Sequence, residues 1–213
     1  MTSLPSSHPP SRLFRVLRLG LPVIGALLIV TFFFPGARHH AELTRYASVP
    51  PFSLTERTGK TVTNGDLQGK VWVADFIYTT CPGPCPIISA SMARLQQKLT
   101  GDNRVQLVSF SVDPQDDTPA VLAAYANRFE ADPQKWWFLT GPKQQMFDLI
   151  QKGFLQSLQD NHGQHLADGQ FLVVHSTYMV LVDQHGTMRG FYSGLDPDSQ
   201  SSLLEGIHQL ENE

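Results

Sequence analysis

Cysteine is almost absent from this chain. There are two in 213 residues, and they stand four apart, at Cys81 and Cys85. So sparse a supply excludes a scaffold stapled by several disulfides, and a domain of about 170 residues is large enough to fold without one. Charge is also scarce, at 16% of residues, and residues 1–40 lack one sign altogether, with four arginines and no acid. Removing those four from the 16 basic residues leaves 12 bases against all 19 acids in residues 41–213. A segment so negative, at about −7, excludes nucleic acid and anionic lipid as its partners. No internal repeat is visible.

One strongly apolar uncharged run stands near the start. Leu19 to Phe34 is a stretch of 16 residues without a charge, broken only by Gly20, Pro22, Gly25 and Thr31. A membrane span needs roughly 17–25 residues, and Leu13 to Leu17 extends the run if Arg15 and Arg18 snorkel to the interface. Arg12, Arg15 and Arg18 precede the run and only Arg38 follows closely, which places the N-terminal side in the cytoplasm. No small-x-small cleavage site follows Phe34, so an uncleaved anchor is preferred to a signal peptide. An organellar presequence is permitted by composition but would be short. The expected organisation is a cytoplasmic N-terminus at 1–12, a transmembrane anchor at 13–34, a linker at 35–51 and a folded domain at 52–213. The protein is thus expected to be single-pass in the inner (cytoplasmic) membrane, with its domain facing the periplasm.

Both cysteines lie in Thr79-Thr80-Cys81-Pro82-Gly83-Pro84-Cys85-Pro86. Val71 to Tyr78, upstream, reads as a buried strand. Downstream, Ile88, Met92, Leu95 and Leu99 recur at helical spacing up to Gly101. Pro86 suits the first helical position, where its missing N–H is no loss, so Cys85 is expected at the helix entrance. Each cysteine precedes a proline and is pushed towards extended backbone, while Gly83 supplies the free joint. The unpaired N–H groups of a helix N-terminus favour thiolate over thiol. Such a pair could close a disulfide if the Cα atoms come within roughly 4.4–6.8 Å. It could also hold one soft metal ion, or form a small structural disulfide.

Further elements follow from pattern. Phe52 to Val62 reads as a short hairpin turning at Thr58-Gly59, and Asn64 to Gly69 as a connecting turn. Val105 to Val112 is strand-like, and Thr118-Pro119 caps a helix running to about Phe129. Trp136 to Leu139 is a short strand, and Lys143 to about Lys152 a helix with Met146, Leu149 and Ile150 inward. Residues 156–169 read as a long polar loop. Phe171 to Asp183 has a strong strand pattern, with a hairpin turn at Asp183 to Gly186 leading to Met188–Tyr192. Asp196-Pro197 opens a last helix with Leu203, Leu204, Ile207 and Leu210 inward. The alternation predicts a mixed sheet covered by helices on both faces.

Three stretches resemble the Sco/SenC family of copper-binding assembly factors for cytochrome c oxidase. They are Thr80 to Pro86, Ser111-Val112-Asp113-Pro114-Gln115-Asp116-Asp117-Thr118-Pro119, and Val174-His175-Ser176-Thr177, completed by the Asp183–Gly186 hairpin. The resemblance spans about residues 47 to 210. It implies an α/β, thioredoxin-like mixed sheet flanked by helices, held outside the cytoplasm by an N-terminal transmembrane helix. It also implies copper bound by Cys81, Cys85 and His175. The copper-bearing subunit of the oxidase is the implied partner, with another copper chaperone or a thiol–disulfide exchange protein beside it. Two features depart from the resemblance: Pro84 stiffens the loop, and His162 and His165 have no place in it.

Residue chemistry agrees on its own terms. Two thiolates and an imidazole make a three-coordinate site suited to Cu(I) and able to hold Cu(II), and an imidazole at His175, inside the apolar Leu172-Val173-Val174, needs a partner. A lone strand histidine is also commonly a satisfied core residue. The leading expectation is a membrane-anchored copper metallochaperone delivering copper to cytochrome c oxidase. The alternative is a thiol–disulfide oxidoreductase with Cys81 and Cys85 as its redox-active pair. A peroxidase ranks last, because no arginine stands next to the motif to activate a thiolate.

Overall fold

The computed structural model describes residues 42–155 and 177–213. The expected anchor at 13–34, the polar loop with His162 and His165, and His175 lie outside the described residues. Among the described residues, no helix is long and apolar enough to cross a membrane.

Among the described residues seven strands form one sheet: β1 Ser53–Glu56, β2 Thr61–Thr63, β3 Val71–Ile77, β4 Val105–Ser111, β5 Trp136–Thr140, β6 Tyr178–Val182 and β7 Met188–Ser193. Their order is β2-β1-β5-β4-β3-β6-β7. β3, β4 and β5 run parallel at the centre, while β1 pairs antiparallel to β5, and β6 to both β3 and β7. Among the described residues four α-helices accompany them, α1 Pro84–Lys98, α2 Pro119–Asn127, α3 Lys143–Asp148 and α4 Pro197–Leu210. The expected mixed sheet with helices on both faces is therefore present.

Every residue of β3 and β4 is buried, as central parallel strands covered on both faces must be. Successive side chains alternate between two cores. Val71, Val73 and Ile77 pack with Ile88, Met92 and Leu95 of α1, Leu122 of α2, and Leu203, Ile207 and Leu210 of α4. Trp72, Ala74 and Phe76 face the other way, towards Phe110, Met146, Ile150 and Phe154. By the same alternation Asp75 points into the first core, beneath α1.

Helix starts follow their caps. Thr118 accepts a hydrogen bond from the Val121 N–H, Asp196 accepts one from the Asp198 N–H, and a proline follows each at the first helical position. The β6–β7 turn is closed by Asp183, whose Oδ1 accepts from the His185 and Thr187 N–H groups. Gly186 takes the positive φ of 81° which that turn requires.

Two expectations need adjustment. The helix expected over Lys143 to Lys152 is α-helical only to Asp148 and widens into a π-turn over Leu149–Gly153. The wider turn lets the Phe154 N–H reach the Leu149 carbonyl at 3.0 Å. Phe154 thereby drops into the second core, 5.1 Å from Phe76 and 5.9 Å from Trp72 between ring centres.

Residues 42–51, expected as the end of the linker, are hydrogen-bonded to the domain. The Tyr46 N–H donates to the Met188 carbonyl, the Met188 N–H to that of Ala47, and the Val49 N–H to that of Gly186. Val49 and Phe52 are buried in the second core. Arg189, also buried, donates to the Leu43 carbonyl and to the carboxylates of Asp183 and Glu213.

Candidate dithiol site at the carboxyl end of β3

The loop after β3 leaves the sheet at the carboxyl ends of the parallel strands, the edge where open α/β sheets place their sites. The Val112 N–H donates to the Ile77 carbonyl at 2.8 Å and fixes where the strand stops. Buried Asp117 pins the next residues: its Oδ1 accepts from the Thr79 N–H at 3.1 Å and the Thr79 hydroxyl at 2.5 Å, and its Oδ2 from the Ser111 hydroxyl at 2.6 Å. A tight turn follows, in which the Cys81 N–H donates to the Tyr78 carbonyl at 3.2 Å.

Helix α1 begins two residues earlier than expected, with Gly83 as its cap and Pro84 first. Pro86 then falls within the first turn, where N–H groups have no intrahelical partner, so both prolines are accommodated. Cys85 therefore sits inside the first turn rather than before it. It is fully buried and Cys81 nearly so, and both are free thiols. Both belong to the first hydrophobic core.

The expectation that the helix terminus would favour a Cys85 thiolate does not hold in this structure. Burial pushes the Cys85 thiol up from its ordinary value, and Cys81 and the Asp75 carboxylate add to that, while the Tyr78 backbone opposes it. A helix terminus is worth about 0.3–1 kcal/mol, rising to about 2 in partly buried sites, whereas withdrawing a lone charge from water costs several kcal/mol. Desolvation therefore wins.

Below the cysteines lies a polar group whose role composition alone did not reveal. Asp75 is completely buried, its Oδ1 accepting from the Ser109 hydroxyl at 2.5 Å. Ser109 in turn accepts from the Trp136 indole N–H at 2.8 Å. The second oxygen, Oδ2, has no hydrogen-bond partner among the described residues. Burial raises this carboxyl to about 7. Nearby, Ser89 and Tyr125 share a hydrogen bond of 2.9 Å between hydroxyls. The signal in the sequence was an acid inside the apolar run Val71 to Tyr78. Asp113 is raised by burial and by the charges of Asp116 and Asp117, which makes this loop the acidic flank of the site.

Of the three residues expected to bind metal, the structure brings Cys81 and Cys85 together, and His175 is outside the described residues. Among the described residues, no three His, Cys, Asp or Glu side chains converge as a metal site.

Residues 40–211 match the sequence model of the SCO1/SenC family. The chain belongs to this family. It is 32% identical over 161 residues to the SCO1 protein homolog of Bacillus subtilis, covering 75% of this chain and 80% of the relative. Its fold, thioredoxin-like as expected, superposes on BsSco, a member of the Sco family of cytochrome c oxidase assembly proteins in which a disulfide switch has been identified. There the TM-score is 0.68 at 29% identity, over 80% of this chain and 96% of the other. It also superposes on Bradyrhizobium japonicum ScoI solved with copper bound, with a TM-score of 0.63 at 26% identity over 75% and 99% of the two chains.

Proposed function

We propose that this Sco-family protein is a membrane-anchored copper metallochaperone that loads the copper-bearing subunit of cytochrome c oxidase during assembly. Copper is the cargo, and its ligands are Cys81, Cys85 and His175. The observation that carries this reading is the pair of free, buried thiols, Cys81 and Cys85, on the loop and first helical turn that follow β3. The donor set fits a soft ion, because two thiolates select Cu(I) and an imidazole completes a three-coordinate site. The copper-bound Sco relative and the assembly role of the family support the same reading. Binding replaces the thiol protons with the metal, so loading releases protons and overcomes the burial that disfavours a bare Cys85 thiolate. The domain faces the periplasm from an anchor at 13–34 in the inner membrane, and the copper donor is another chaperone.

A second reading has one observation in its favour. Two adjacent thiols are also what a thiol–disulfide oxidoreductase needs, and BsSco carries a disulfide switch. His175→Ala separates the two. Copper affinity, measured by chelator competition on the reduced protein, should fall at least about tenfold, since one of three metal bonds is lost. The Cys81–Cys85 disulfide should still form, because exchange between sulfurs needs only the thiols. Unchanged affinity, or equal copper in the reduced and oxidised forms, would overturn the ligand set and leave the oxidoreductase in the lead.

A further inference from the structure

Cys81 rides on a short strap, residues 79–83, between the end of β3 and the start of α1. Thr80, Pro82 and Gly83 are exposed, yet Cys81 between them is only 7% exposed. The strap is therefore held down with its sulfur inward. Packing does not hold its far corner: beyond the chain neighbours, nothing among the described residues lies within 4 Å of where a Gly83 side chain would begin. The near corner is fastened by hydrogen bonds. Asp117 Oδ1 accepts from the Thr79 N–H at 3.1 Å and from the Thr79 hydroxyl at 2.5 Å. Asp117 is itself fixed, because its Oδ2 accepts from the Ser111 hydroxyl at 2.6 Å and its N–H donates to the Asp113 carbonyl at 2.9 Å. Ser111 ends the wholly buried strand β4. One half of this clasp thus belongs to the sheet and the other half to the strap.

We propose that Thr79 and Asp117 are positioning residues for Cys81: their clasp keeps the strap down, and its release, hinged at Gly83, is the local opening through which Cys81 is reached. A sulfur so nearly enclosed meets a reagent or a partner protein only when the strap lifts. Cys85 is held differently. It lies in the first turn of α1 and is fully buried, so lifting the strap leaves it enclosed and it reacts only when more of the fold opens. The two thiols of one site are thereby given separate access, with Cys81 the sulfur met first. The frequency of that opening depends on the clasp, since the strap lifts only when the Thr79 hydroxyl leaves the carboxylate.

The clasp deepens the dithiol reading above, but its test needs neither copper nor a partner protein, so either can fail while the other stands. The test is alkylation by iodoacetamide of the reduced, metal-free full chain in detergent, with Cys81 and Cys85 followed separately by mass spectrometry. In the wild type Cys81 should react faster than Cys85. Thr79→Val removes the hydroxyl while keeping shape and charge, and should speed Cys81 about tenfold, the scale of one hydrogen bond to a carboxylate. Thr79→Ser keeps the hydroxyl and should react as the wild type does. Gly153→Ala crowds the Pro50 ring and weakens the fold without touching the clasp, so the Cys81 rate should stay in place. Equal rates at the two wild-type cysteines, or a Thr79→Val gain at Cys81 below about threefold, overturn the proposal. So does serine reacting as fast as valine, or Gly153→Ala speeding Cys81 as much as Thr79→Val does.

Discussion

Replacing Asp75 by asparagine tests the physics of the buried acid directly. The carboxyl is fully enclosed, takes one hydrogen bond from Ser109 and leaves its other oxygen without a partner. Its titration moves from 3.8 to about 7 on folding, a difference of about 4 kcal/mol between the two protonation states. Below pH 3.8 the folded and unfolded chains both hold the proton, and the group contributes nothing. As pH rises, the unfolded chain ionises first while the folded one retains its proton. Stability is lost steadily until pH 7, above which the whole penalty applies. Asparagine keeps an acceptor for Ser109 and cannot ionise; any cost of its own unpaired N–H falls equally at every pH. The stability of Asp75→Asn relative to wild type should thus rise by about 4 kcal/mol between pH 4 and pH 8. Urea unfolding of the metal-free chain in detergent would measure it, read by fluorescence from Trp136, whose indole lies one hydroxyl away from the carboxylate. A difference between the two proteins that stays flat from pH 4 to pH 8 would refute the reasoning.

Other perturbations address neighbouring features. Asp117→Ala removes the acceptor of three hydrogen bonds at the cysteine loop and should cost about 2–4 kcal/mol in urea unfolding, with Asp117→Asn costing less and native-state alkylation of Cys81 speeding up in step. Gly153→Ala would place a Cβ 2.8 Å from the Pro50 ring; a stiff ring cannot yield, so the melting temperature should fall by an amount equivalent to about 1–3 kcal/mol. For the proposed topology, protease added to intact spheroplasts should digest the domain, and protection until the membrane is lysed would show the orientation to be reversed.

Local signals were legible in the sequence where a residue acts on its own neighbourhood. Thr118 caps the helix it was expected to cap, and Asp196 caps the helix that Asp196-Pro197 was expected to open, because capping needs only a side-chain oxygen and an N–H two or three positions away. The cysteine turn was legible for the same reason. Its start was misplaced because either of two prolines satisfies the first turn, and nothing local chooses between Pro84 and Pro86. Partners distant along the chain left no such trace. The pairing of β1 with β5 joins Thr55 to Thr140, and the packing of Gly153 on Pro50 spans a hundred residues. Asp75 was half legible: period-two alternation puts it on the face of Val73 and Ile77, but only the assembled core shows that one oxygen has no partner. The thiolate expectation failed because a helix terminus is visible in sequence while the depth of burial is not.

The segment at 42–51 has a mechanical consequence. It is bonded to β7 and to the turn at Gly186, which lies beside the amino end of β3, where the Gly69 N–H meets the Gln184 carbonyl. The dithiol loop leaves the opposite end, seven residues and about 20 Å further along the strand. Tension arriving through residue 42 would be taken up by the Tyr46–Val49 ladder and by the grip of Arg189 on the Leu43 carbonyl. Those contacts would peel one at a time, like an adhesive strip lifted from its edge, while the loop holding both sulfurs stayed outside the path of the load. The geometry of the thiols is thereby isolated from whatever pulls on the chain.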